Sequence, residues 1–355
     1  MKISRIEAYS ESLGLKRPYT IAYKTVSDVE LVFLELHTDA GLIGLGSANP
    51  SKAVVGEDSA DTLATLQSGA LDFLHGANLA HFPALLRQAE FFFSDKPGVL
   101  AAVDMALHDL FTQWLKVPLA QYLGQYHQEM PTSITIGIKG VRETLMEAEE
   151  YLGAGFRCLK VKLGHSLEED LERLFRLREA FGFEPAIRVD ANQGYTYDEV
   201  MELHDEAEQL RLELVEQPLP ARSLVELRQL PGELRDYLAA DEALVTPEDA
   251  FRLACPPRAC GIFNIKLMKC GGISRAQRIA EQARLSQIEL MWGCNDESTI
   301  SITAALHAAL ANPHTRYLDL DGSFDLAYDL AIGGFHLQDG VMRLTHEPGL
   351  GVKKK

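Results

Sequence analysis

Cysteine is scarce in this sequence: 355 residues hold five, Cys158, Cys255, Cys260, Cys270 and Cys294. Five is odd, and no two stand in CxxC spacing, which disfavours a disulfide framework and a structural zinc site. Positive charge is also short, with 34 Lys and Arg against 51 Asp and Glu and a formal net charge of -17. Such a surface repels phosphate backbones and argues against a nucleic-acid partner. No run approaches the roughly 20 apolar residues that a membrane helix needs, so no membrane association is expected. The opening MKISRIEAYS turns charged and polar at once, unlike a secretory leader. Together with unpaired thiols, that predicts a cytoplasmic protein. Low-complexity linkers are missing too. What remains is an ordinary globular composition, 46% hydrophobic, enough for a barrel of about 250 residues and a smaller second domain.

The order of patterns divides the chain. Residues 2–9 alternate apolar and polar, and VELVFLELH (29–37) and LIGLG (42–46) flank the turn at 38–41, a hairpin signal. Helical spacing follows near 58–75, 82–94 and 97–115. From about 131 the texture changes. Short apolar runs begin at 133, 158, 186, 212, 238, 261, 288 and 315, separated by amphipathic helical stretches. Eight strand–helix repeats of about 25 residues predict a closed parallel α/β barrel. The Gly-rich tail from 323 returns to short strand-like pieces and is expected to pack on the first module.

A barrel strand buried on both faces should be almost entirely apolar. Here strand after strand ends in charge. Asp190, Glu216 and Asp241 close three successive runs, 26 and 25 residues apart. Active sites of such barrels lie at the C-terminal rim, so these three carboxylates converge. One acid alone reads as a salt-bridge partner; three in matched positions repel one another unless a cation sits among them. An all-oxygen set selects Mg²⁺, with Mn²⁺ as the alternative.

Lys160 and Lys162 are two apart in LKVKLG and share the barrel interior. Lys266, in NIKLMK, stands four strands further round and faces them across the mouth. A substrate at the metal would lie between two amines. A carbon acid beside a carboxylate is very weak, so its dianion needs the metal's charge. A base amine must also be neutral; burial, the cation and a neighbouring lysine all push its pKa down. Lys269, at the odd position of its run, is read as structural. Asp319 and Asp321 aim a second acid pair into the mouth, suited to a substrate ammonium group.

These motifs resemble the muconate lactonizing enzyme subgroup of the enolase superfamily. The resemblance rests on LKVKLG, RVDANQGY, LVEQP, ADEA and NIKLMKCGG, and it extends to AAVDMALHDL near the front. It implies a modified (β/α)₇β TIM-like barrel over 126–322, with an α+β capping domain from 1–125 completed by 323–355. A Lys or His base working with Mg²⁺ is general to that superfamily. Within it, LDLDG and WGCNDES are most similar to the dipeptide epimerases. That similarity implies Asp190, Glu216 and Asp241 as metal ligands and Lys162 and Lys266 as the acid/base pair on opposite faces of an α-carbon. It assigns Asp319 and Asp321 to the substrate's α-ammonium, and Thr135, Lys160 and Cys294 to substrate contact. A homo-oligomer is the family expectation.

Two positions depart from the pattern. Asn295 stands where relatives often carry Met. Lys24 stands where enzymes acting on Ala-Glu dipeptides place an arginine, keeping the charge but losing bidentate geometry. Asp296 adds an acid beside Glu297. With the net charge of -17, these changes point to a cationic or polar dipeptide. The competing readings are an L-Ala-D/L-Glu epimerase, an N-succinylamino acid racemase, an o-succinylbenzoate synthase, a muconate cycloisomerase and a non-catalytic binding barrel. The three that act on anions lacking a free amine would meet repulsion from Asp319 and Asp321. A mandelate-racemase-like mechanism wants a His at the end of strand seven, where this sequence has Cys294.

Overall fold

A computed structural model describes residues 1–22 and 24–355, excepting the side chain of Lys24. Three antiparallel strands, Ile3–Ile21, Lys24–Thr38 and Ile43–Ala48, open the chain. Alternation predicts only 2–9 of the first. The strand runs on because the second pairs with it out to Ile21↔Lys24, absorbing a register shift between Gly14 and Tyr19.

The stretch expected as one helix over 58–75 is a helix, Ser59–Gln67, and a separate 3₁₀ segment, Gly69–Leu74. Ser68 breaks it: its backbone is extended and its hydroxyl accepts from Ala70 N. Helices Phe82–Phe92 and Pro97–Leu115 fall where the spacing puts them. Pro97–Leu115 is buried over nearly its whole length and lies against the strand Ile43–Ala48. A Cβ on Gly44 would come within 2.3 Å of Ala106 O, and one on Gly46 within 2.0 Å of Ala102 O. The glycines of LIGLG therefore permit backbone-to-backbone contact between strand and helix.

Eight parallel strands follow in sequence order around one sheet: Ile134–Ile136, Cys158–Lys162, Ala186–Asp190, Leu212–Glu216, Leu238–Ala240, Ile262–Ile265, Glu289–Gly293 and Thr315–Asp319. Ser133 N donates to Leu318 O at 3.1 Å, and Leu320 N to Thr132 Oγ1 at 2.9 Å, joining the first strand to the eighth. Among the described residues, helices follow the first seven strands and none follows the eighth, which is the (β/α)₇β order. Several helices start at side-chain caps: Ser166 accepts from Glu169 N, while Thr196 and Thr246 form capping boxes. The sixth strand is shorter than expected. It stops at Ile265, and Leu267–Cys270 is a helical turn, so Lys269 does not follow strand alternation.

The tail returns to the beginning. Val341–Leu344 pairs with Phe335–Gln338 on one side and Glu129–Pro131 on the other, while Ala331–Gly333 pairs with Val352–Lys354. Leu350 N and Leu45 N donate to the two oxygens of Asp109, at 2.8 and 2.9 Å. Lys354 Nζ reaches Glu35 Oε1 at 2.6 Å. Asp104, on the same helix as Asp109, accepts from Ile273 N at 2.7 Å and so caps a barrel helix. Among the described residues, no helix is long and apolar enough to cross a membrane.

Candidate active site

Parallel strands bring their C-terminal ends to one rim. Asp190 ends the third strand, Glu216 ends the fourth in register with it, and Asp241 follows the fifth. A carboxylate oxygen from each lies within 4.8 Å of the others, and all three residues are buried. Asn264 Nδ2 donates to Glu216 Oε1 at 2.8 Å. Glu216 Oε2 is 2.7 Å from Lys160 Nζ but out of hydrogen-bond alignment, and among the described residues no donor satisfies it. Three hard oxygen donors with an unsatisfied oxygen among them fit a divalent cation such as Mg²⁺.

The lysines surround this triad. Lys162 Nζ donates to Asp190 Oδ2 at 2.6 Å and to Asn192 Oδ1 at 3.2 Å. Lys266, directly after the sixth strand, donates to Asp241 Oδ2 at 2.8 Å. Lys269 pairs with the other oxygen of Asp241 and donates to Asn264 O at 3.1 Å, which ties it to the framework. Lys160 is only 2% exposed, and its Nζ lies 2.7 Å from Asp319 Oδ2 and 3.1 Å from Asp190 Oδ2. It thus links the acid triad to the second acid pair.

That pair sits at the end of the eighth strand and just beyond. Asp319 also accepts from Ser133 Oγ at 2.7 Å, and Asp321 Oδ2 accepts from Thr135 N at 2.7 Å. Cys294 Sγ lies 3.3 Å from Asp319 O, as donor, and 3.3 Å from Gly322 N, as acceptor. Its thiol spans the segment that carries both acids. Asp296 Oδ2 accepts from Tyr19 OH at 2.6 Å, and Asn49 Nδ2 donates to Asp296 O at 2.6 Å. Residues of the N-terminal module therefore close over the barrel mouth. The resulting cavity of about 680 Å³ is lined by Thr135, Lys160, Lys162, Lys266, Cys294, Asp296, Asp319 and Asp321, together with Tyr19 and Asn49 from the module. The side chain of Lys24 lies outside the described residues.

Burial and charge pull the titrations apart. Burial opposes ionisation of Asp190, but Lys162 and Lys160 outweigh it and hold the carboxyl well below its usual range. Glu216 is pushed up to about 8, by burial first and Asp190 next. Burial would lower Lys160 and Lys266, yet the carboxylates beside them raise both well above the ordinary lysine value. The nearest charges to these two amines are acids, with Asp319, Glu216 and Asp190 beside Lys160 and Asp241 beside Lys266. Asp319 is held low by Lys160 against burial, while Asp321 is pushed up to about 7 by burial and then by Asp319.

Three contributors escape sequence reasoning. Tyr19 reaches the site from the other end of the chain. Glu242, beside Asp241, is pushed up to about 7 by burial and accepts from Asn192 Nδ2 at 3.2 Å. Asn264 stood in plain view, two residues before Lys266 and on the same strand face.

A parallel (β/α)₇β barrel with three converging acids ion-paired to lysines, roofed by an α+β module, defines an enolase-type barrel enzyme. Residues 5–124 match the N-terminal domain of the mandelate racemase/muconate lactonizing enzymes, and residues 143–355 match the enolase C-terminal domain-like family. The chain belongs to the mandelate racemase/muconate lactonizing enzyme family. It is 51% identical over 352 residues to an L-Lys-D/L-Arg epimerase of Methylococcus capsulatus, covering 99% of each chain. A like-named epimerase of Desulforapulum autotrophicum is 50% identical over 354 residues, covering 100% of both. The crystal structure of a Methylococcus capsulatus dipeptide epimerase with Mg and the dipeptide L-Arg-D-Lys superposes with a TM-score of 0.98, at 51% identity and 99% coverage of each chain.

Proposed function

We propose that this chain is a Mg²⁺-dependent dipeptide epimerase that inverts the α-carbon of the C-terminal residue of cationic dipeptides. The observation that carries the reading is one cavity lined by Lys162, Lys266, Asp241, Asp319 and Asp321, in which Lys162 bonds Asp190 and Lys266 bonds Asp241 of the acid triad. Similarity to epimerases named for L-Lys-D/L-Arg supports the cationic preference, as does Asp296 in the cavity wall.

In this reading Asp190, Glu216 and Asp241 hold the Mg²⁺, which supplies positive charge to stabilise the extra negative charge on the substrate carboxylate. Asp319 and Asp321 take the free α-ammonium, and Thr135 and Cys294 fix the segment that presents them. Lys160 orients the acids and meets the substrate carboxylate. Asp296 faces the substrate side chains, and Lys24 is assigned to their recognition from the sequence alone. One lysine, as the neutral amine, accepts the α-proton and becomes an ammonium. The substrate passes through a planar enolate, and the opposite lysine gives a proton to the other face. Each turnover exchanges the protonation states of the two lysines. The division of the chain we adopt is a capping domain of 1–125 completed by 323–355 over a barrel of 126–322. Contacts of Leu350 with Asp109 and of Lys354 with Glu35 support it. A cytoplasmic homo-oligomer completes the reading.

The test is incubation with Mg²⁺ and Lys- or Arg-containing dipeptides in D₂O. Both epimers should gain one α-deuterium and interconvert. Exchange only with N-succinyl amino acids would overturn the assignment. Lys162→Ala and Lys266→Ala should each abolish epimerisation, with either one retaining deuterium exchange into a single epimer.

A further inference from the structure

We infer that Asn264 is the positioning residue that couples the Glu216 metal ligand to Lys266, and that Gly293 exists to make room for it. Asn264 is fully buried on the sixth strand, where an apolar side chain would pack as Ile262 and Met291 do nearby. Its amide is only half satisfied. Nδ2 donates to Glu216 Oε1, whereas Oδ1 is buried without a hydrogen-bond partner among the described residues. A fully buried acceptor left unpaired costs folding free energy and calls for a reason beyond packing.

Geometry supplies that reason. By occupying Oε1, the amide leaves Oε2 as the second oxygen of Glu216; it lies 2.7 Å from Lys160 Nζ, which is also 3.1 Å from Asp190 Oδ2. On the neighbouring seventh strand, a Cβ at Gly293 would stand 2.6 Å from Asn264 Oδ1, 3.0 Å from Nδ2 and 3.1 Å from Lys266 Cε. Even a methyl group there would displace the amide and the lysine stem together. One small space therefore sets the direction of a metal ligand and the approach of an acid/base amine. Groups that orient metal ligands through hydrogen bonds typically change metal affinity 10–100-fold when removed.

The inference rests on the reading of the acid triad as a Mg²⁺ site, and the experiment separates the two. Mg²⁺ binding to the full-length protein is measured by titration calorimetry for wild type, Asn264→Leu and Gly293→Ala, alongside melting temperature without metal. No Mg²⁺ uptake by wild type would break the functional reading itself. With wild type binding, both variants are expected to fold and to bind Mg²⁺ about 10-fold or more weakly. In Gly293→Ala, α-deuterium exchange should slow more from one dipeptide epimer than from the other, because Lys266 serves one face. Wild-type affinity in folded Asn264→Leu would overturn the inference. If Asn264→Leu does not fold, Gly293→Ala decides by the same measure, and failure of both to fold assigns the pair to packing and refutes a positioning role.

Discussion

Asp319 and Asp321 are two residues apart and chemically unlike. Lys160 and Ser133 keep Asp319 ionised, whereas burial and Asp319 push Asp321 up to about 7. A substrate ammonium is best met by the ionised pair, so kcat/KM for a dipeptide should rise with pH through about 7, the value at which Asp321 loses its proton. Asp321→Asn should flatten that limb and lower kcat/KM by roughly 10–100-fold, the usual cost of a lost hydrogen bond to a charged group. Steady-state rates from pH 5.5 to 9 decide it; an unchanged profile would remove Asp321 from ammonium binding. Cys294 gives a second prediction. Cys294→Ser keeps a donor and an acceptor for the segment 319–322 and should hold KM within a few-fold, whereas Cys294→Ala should raise KM about 10-fold with a smaller change in kcat. At this scale the sequence was readable wherever charge broke an apolar strand, as at Lys162, Asp190 and Lys266. It was unreadable where the partner decides the role. Nothing in LKVKLG says that Lys160 would be enclosed by three carboxylates, and an uncharged Asn264 does not stand out among apolar neighbours.

Among the elements, the helix Pro97–Leu115 organises the most. Its spacing is plain in the sequence, but its partners are not, because Asp104, Asp109, Ala102 and Ala106 each meet residues remote in the chain. Gly46→Ala would drive a Cβ into Ala102 O and should cost about 1–3 kcal/mol or more, read as a fall in melting temperature. Asp109 is pushed from 3.8 to about 6 by burial, against the donors Leu350 and Leu45. Its folded value lies above the unfolded one, so its contribution is complete below 3.8 and is lost as pH rises through about 6. At 1.36 kcal/mol per unit the loss is about 3 kcal/mol. The melting-temperature advantage of wild type over Asp109→Asn should therefore shrink between pH 4 and pH 8; a constant difference would contradict this. The long first strand and the early end of the sixth were not legible. The first is prolonged by its partner strand, and the second is cut short by a helical turn.

For the whole molecule, eight regular repeats announced the barrel and the strand-like tail pointed back to the first module, while the place of that module over the barrel mouth came only from resemblance, since its contacts join the two ends of the sequence. The metal gives a global prediction. Mg²⁺ at 100 times its Kd should stabilise the fold by about 2.7 kcal/mol, and EDTA should reverse the gain in melting temperature. Absence of any Mg²⁺-dependent shift would argue against the triad as the site. The bond from Leu350 to Asp109 joins residues 241 positions apart. It also sets a clock on synthesis. At 5–20 residues per second, the N-terminal module waits roughly 12 to 48 seconds on the ribosome for the strand of chain that seals it. For the first part of that interval, until residue 273 is made, the helix Pro97–Leu115 also lacks the barrel helix that Asp104 caps, and to its end it lacks the tail that Asp109 holds. The nascent roof is the part of this enzyme that a chaperone has reason to hold.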